Sequence, residues 1–73
     1  MVIDTTEYVR LRGRRPSGEG VWYFTWNGRG GSYEGNFSRA CKMAIRHYGT
    51  WAADTKWCSR LGYDPNAPIE VVP

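Results

Sequence analysis

The run Val21-Trp-Tyr-Phe-Thr-Trp26 constrains the fold more than any other stretch of the chain. It is rich in β-branched and aromatic residues, which suit a pleated, half-buried surface. Successive side chains on a strand point to opposite faces, so Trp22, Phe24 and Trp26 share one face and Val21, Tyr23 and Thr25 the other. The larger rings are expected to face the core. Turn chemistry brackets the run: Pro16-Ser-Gly-Glu-Gly20 before it and the glycine-rich Asn27-Gly-Arg-Gly-Gly31 after it. A further strand is expected over Ser32-Tyr-Glu-Gly-Asn-Phe37. Upstream, Glu7 to about Arg14 alternates apolar and basic residues and reads as a first strand, ended by Pro16. On that strand Val9 and Leu11 would point in, and Tyr8, Arg10, Arg12 and Arg14 would point out as a row. The expectation is a three-stranded antiparallel meander over residues 8–37 with an arginine stripe on an outer strand.

The remainder reads as support. Ser38 can cap a helix whose apolar positions, Ala40, Cys41, Ala44, Ile45 and Tyr48, recur at three- and four-residue steps until Gly49. Thr50 can cap a second helix carrying Trp51, Thr55, Trp57, Cys58 and Leu61, closed by Gly62. Two helices are thus expected over residues 38–61. Tyr63-Asp-Pro-Asn-Ala-Pro68 is a turn, and Ile69-Glu-Val-Val72 is either a fourth strand at the sheet edge or a docked tail. Residues 1–6 read as a lead-in. The fold class is therefore α+β in a single domain, 1–73. A chain of 73 residues has little room for a core, and its eleven aromatics are expected to supply most of it.

Charge is sorted along the sequence. The net charge is +3, yet residues 8–15 hold four arginines and no acid, while Asp4 and Glu7 precede them and Asp64 and Glu70 lie near the C-terminus. Cys41 and Cys58 stand alone on apolar helix stripes, which suits buried thiols and not a disulfide framework. With His47 they make only three candidate metal ligands and no Cys-x-x-Cys unit, so no metal or other cofactor is expected. No apolar stretch approaches the length needed to cross a bilayer, and Met1 to Glu7 lacks the features of a signal peptide; a soluble, cytoplasmic protein is expected.

A basic strand, a turn, Gly20-Val-Trp22 opening an aromatic strand, and Tyr33-Glu-Gly-Asn-Phe37 running into an alanine-containing helix together resemble the APETALA/ethylene-response-factor DNA-binding domain and the amino-terminal domains of phage integrases. The resemblance covers residues 8–48. It implies a three-stranded sheet lying in the DNA major groove, with outer-face arginines and aromatics on bases and phosphates and the helix packed behind. The matching positions are Arg10, Arg12 and Arg14 or Arg15 on the first strand, Trp22 as the core aromatic, Tyr33 as an outward aromatic, Gly35 and Phe37 at the step into the helix, and Ala44 within it. Glu34 departs from the pattern by standing where the family is apolar, and Tyr48 is one residue out of phase.

The chemistry of the stripe fits that implication. A guanidinium is a permanently charged fork of donors suited to phosphates and to guanine edges. The candidate nucleic-acid surface is Arg10, Arg12, Arg14, Arg15, Tyr23, Thr25, Arg29 and Tyr33, with double-stranded DNA as partner. Arg39, Lys42 and Arg46 read as a solvated helix face. One histidine, scattered carboxylates and no nucleophile or phosphate-loop motif argue against an enzyme. The alternative is a phage or mobile-element inhibitor, anti-CRISPR-like, that binds a host or phage protein complex. A homodimer through an exposed edge strand is a third option.

Overall fold

The computed structural model describes all 73 residues as one α+β domain. In chain order it contains β1 (Ile3–Asp4), α1 (Thr6–Arg12), β2 (Glu19–Trp26), β3 (Arg29–Asn36), α2 (Phe37–Ala53), α3 (Thr55–Leu61) and β4 (Ile69–Val71). The four strands form one sheet in the order β1-β4-β2-β3. The hairpin of β2 and β3 is antiparallel, β4 runs antiparallel to β2, and β1 runs parallel to β4. The C-terminal strand therefore forms, but between β1 and β2 and not at the edge.

The expected first strand is a helix. Residues 7–14 give α1 and the loop after it, and the reasons are local. Glu7 and Arg10 pair at i,i+3, at 2.7 Å. Asp4 Oδ1 accepts from the Thr6 N–H, one of the donors a helix start leaves unpaired. Gly13 takes the left-handed conformation at φ 71° and its N–H reaches the Val9 carbonyl, ending the helix. Tyr8 is the one buried residue of α1, so Val9 and Leu11, expected to point inward, are exposed at 36% and 57%.

The hairpin turns on two residues. Asn27 (φ 49°) and Gly28 (φ 80°) form the mirror-image turn that matches strand twist, so Arg29 stands opposite Trp26. Trp22, Phe24 and Trp26 face inward as expected, Phe24 and Trp26 being almost fully buried. Against them pack Ala40, Ala44 and Tyr48 of α2, Cys58 of α3, Tyr8 of α1, and Ile69 and Val71 of β4. The small alanines allow α2 to lie close to the sheet. Indole donors are satisfied at the backbone: Trp22 Nε1 donates to Gly35 O and Trp26 Nε1 to Ala67 O, both at 3.2 Å. Asn27 and Asp64 exchange two hydrogen bonds, tying the hairpin turn to the C-terminal turn.

Helix boundaries also shift. Asn36, not Ser38, caps α2 by accepting from the Arg39 N–H at 2.8 Å. Helix α2 runs through Gly49, and Thr50 bonds back to the Arg46 carbonyl within it. The cap of α3 is Asp54, whose Oδ1 accepts from the Trp57 N–H. No helix is long and apolar enough to cross a membrane.

Candidate nucleic-acid interface and the two faces of the sheet

All three helices cover one face of the sheet and leave the other bare. The register places the bare-face side chains in rows across the strands: Asp4, Glu70, Thr25 and Gly30; then Tyr23 and Ser32; then Val21 and Glu34; then Glu19 and Asn36. The Val72 N–H donates to the Tyr23 carbonyl, which extends the second row to Val72. Four of the seven acids of the chain thus sit on this face, and none of its ten cations. The open face carries −4, and the rest of the molecule, with ten cations against three acids, carries +7. The modest net charge of +3 conceals that division.

The expected arginine-lined sheet face is therefore corrected. Arg10 and Arg12 lie in the last turn of α1, and Arg14 and Arg15 in the loop beyond it, all exposed on the helical side. Tyr23 and Thr25 do face outward from β2, but among carboxylates. Tyr33 does not: it stands opposite Trp22 on the inner face, tilted against Phe24, with its hydroxyl hydrogen-bonded to His47 Nδ1 at 2.5 Å. Desolvation raises the pKa of its phenol above the ordinary value. Arg29 is also on the inner side, with its guanidinium 4.8 Å from the Trp51 ring centre and 5.5 Å from that of Trp57. The eight residues expected to form one surface fall into three groups: four arginines on the helical side, Tyr23 and Thr25 on the open face, and Tyr33 and Arg29 among the packed aromatics.

The four arginines differ in what already holds them. Arg10 is bound to Glu7, with Nε and Nη2 donating to the two carboxylate oxygens at 3.2 and 2.7 Å. That contact lowers the Glu7 pKa and raises that of Arg10. Arg12 lies over the Tyr8 ring at 5.8 Å, and both residues meet the negative end of the α1 dipole. Arg14 and Arg15 have neither an acid nor a ring. Arg15 lines a depression of about 180 Å³ with Thr5, Pro16 and Phe37, which places it beside the first residue of α2. Lys42 and Arg46 of α2 and Lys56 and Arg60 of α3 are exposed as well. Arg39 stands at the boundary, lining a shallow depression with Glu19 and Glu34 without forming an ion pair to either. The sequence did mark the α2 cations by helical spacing. What it hid was that α1 lies on their side of the sheet.

Cys58 is buried and donates to the Trp51 carbonyl, Cys41 is half-buried, and His47 is engaged with Tyr33. These residues do not gather with carboxylates into a metal-binding group. No protein-family model, characterised protein or solved structure matches the chain. Within residues 8–48, the stretch that resembles the APETALA and integrase domains, the arginine-bearing segment is helical and Tyr33 faces inward, so neither stands where the resemblance implies; β2 and β3 form a hairpin that runs into α2.

Proposed function

We propose that this chain is a small non-enzymatic protein that binds double-stranded DNA with its helical side, through phosphate contacts from Arg14 and Arg15, supported by Arg10, Arg12, Lys42 and Arg46. The observation that carries this reading is the charge division: with four acids on the open face, the rest of a chain of only 73 residues carries a net +7, including the exposed Arg14 and Arg15. Such a charge attracts a polyanion and gains from counterion release when it binds one. Arg14 and Arg15 carry most weight because no internal partner accounts for them, whereas Arg10 and Arg12 also serve the helix they end. The open face takes no part, since its carboxylates would meet the phosphates. The protein acts inside the cell, where the duplex is.

Fluorescence anisotropy of a labelled mixed-sequence duplex across a salt series tests the reading. The expected result is binding whose log–log salt slope corresponds to about three or more phosphates, with Arg14→Ala/Arg15→Ala lowering the slope by about two. Arg10→Ala/Arg12→Ala should lower it less. Absence of binding at low salt, or equal slopes for wild type and the Arg14/Arg15 variant, overturns the proposal.

A further inference from the structure

The open face of the sheet has a layout that solvent exposure alone does not require. Antiparallel sheets commonly leave one face to water, and such faces are ordinarily polar with both signs of charge mixed. Here the centre is apolar: Val21 (46% exposed) and Tyr23 (55%) follow each other on β2, and Val72 (43%) lies across from Tyr23. Carboxylates stand at both ends, Asp4 and Glu70 at one and Glu34 and Glu19 at the other. Of these four only Asp4 has a hydrogen-bond partner within the fold, the Thr6 N–H, and none forms an ion pair, although Arg39 borders the depression that Glu19 and Glu34 line. An apolar centre with a single-signed polar rim is the anatomy of a docking surface.

From Thr25 to Glu19 the face runs six strand steps, about 20 Å at about 3.3 Å per residue; it is four strands, about 14 Å, wide at the Asp4–Glu70 end and narrows to the β2–β3 hairpin at the Glu19 end. That is too small for a standard interface between globular partners, which takes about 800 Å² on each side. It does match one α-helix, about 10 Å across and about 13 residues in length. We infer that the open face is a docking site for a cationic amphipathic helix of another protein, whose apolar stripe covers Val21, Tyr23 and Val72 and whose Lys or Arg residues meet Glu19 and Glu34 at one end and Glu70 at the other. The charge argues for an outside partner over a second copy of this chain. The main apolar stripes of α2 and α3 are turned into the fold, leaving Met43 and Leu61 singly exposed, and α1, which does expose Val9 and Leu11 beside its arginines, has only seven residues and spans about half of the face at about 1.5 Å per residue. The site is independent of the DNA-binding surface, being on the opposite side of the sheet.

A suitable probe is a synthetic 14-residue helical peptide of leucine and lysine with the leucines on one stripe. Its control has the same composition with leucines spread around the helix. Titration into the ¹⁵N-labelled protein, followed by amide chemical shifts, should move Val21, Tyr23, Thr25, Ser32, Glu70 and Val72. The control should bind about tenfold more weakly or worse, because the apolar stripe is then lost. Tyr23→Ala and Glu34→Gln/Glu70→Gln should each weaken the amphipathic peptide about tenfold while Tyr23→Ala leaves duplex binding unchanged. These positions are exposed, so the variants should keep the wild-type spectrum elsewhere. Shifts confined to the helical side, equal affinity for the two peptides, or sedimentation showing that the free protein dimerises through this face would each overturn the inference.

Discussion

Arg29 and Tyr33 show how much the parity of turn length decides. With a five-residue glycine turn, Tyr33 begins a strand and can be placed outward; with the two-residue Asn27-Gly28 turn, Arg29 pairs with Trp26 and Tyr33 with Trp22, so both belong to the inner face. The signal was in the sequence, because Asn-Gly between β-favouring runs is the strongest short-range mark of a two-residue hairpin. The inward set of β2 was legible because a period of two needs no knowledge of the turn. Arg29→Ala should destabilise the fold by about 0.5–2 kcal/mol in urea denaturation through loss of its stacking on Trp51 and Trp57, with duplex affinity nearly unchanged. A large loss of DNA binding with normal stability would instead return Arg29 to the interface. Burial also gives the phenols a pH signature. Desolvation raises the folded-state pKa of Tyr33 and Tyr48 above 10.0, the coulombic pull of Arg29 opposing it at Tyr48. A raised folded-state value means the unfolded chain loses those protons first, so stability is full below about pH 10 and declines as pH rises beyond it. Tyr33→Phe should make that alkaline limb shallower in pH-dependent thermal melts, and an unchanged limb would count against this origin.

At the scale of elements, alternation misread α1 because a seven-residue helix held by one buried side chain has almost no apolar period to display. Val9, Leu11 and the arginines between them alternate in sequence, yet what settles the structure is Asp4 at the start, the Glu7–Arg10 pair in the middle and Gly13 at the end. Tyr8 alone anchors the helix, packing 6.0 Å from Trp22. Few buried contacts imply a low local opening free energy, so the amides of α1 should exchange hydrogen through local opening, well before those of β2 and α2. Exchange of α1 at the global unfolding rate would contradict that ordering. Helix α2 was readable in its buried stripe of Ala40, Ala44 and Tyr48, but its end was not. A glycine is a common stop signal, and Gly49 lacks that role because the chain stays helical to bring Trp51 against Trp26 and Tyr48. Its missing Cβ would meet only Met1 Sδ at 3.7 Å, an ordinary contact. Gly49→Ala should therefore stabilise the protein by about 0.5–1 kcal/mol. A destabilised variant in chemical denaturation would mean that Met1 cannot yield or that Gly49 is strained.

For the whole molecule, the division of charge matters more than its sum. The fold class and the aromatic core followed from local pattern, whereas the charge faces required knowing which side of the sheet α1 occupies, a non-local fact that no spacing in residues 8–15 encodes. The division also has an energetic consequence. The molecule is about 16 Å through its shortest extent, beyond the Debye length of about 10 Å at 0.1 M salt, while carboxylates on neighbouring strands and cations on successive helix turns are closer than that. Repulsion within each face therefore outweighs attraction between faces, with Glu7–Arg10 as the single ion pair to set against it. Added salt should stabilise the protein. A gain of about 0.5–1 kcal/mol corresponds to a rise in Tm of about 2–8 °C for a domain of this size between 0.1 and 0.5 M sodium chloride, where the Debye length stays at or below about 10 Å. Glu70→Gln, which removes the carboxylate beside Asp4, should be more stable than wild type at low salt and gain less from added salt. The comparison is made by thermal melts of both proteins over the same salt series. A Tm that falls with salt would mean that the two faces hold each other across the sheet, and the low-salt advantage of Glu70→Gln should then disappear.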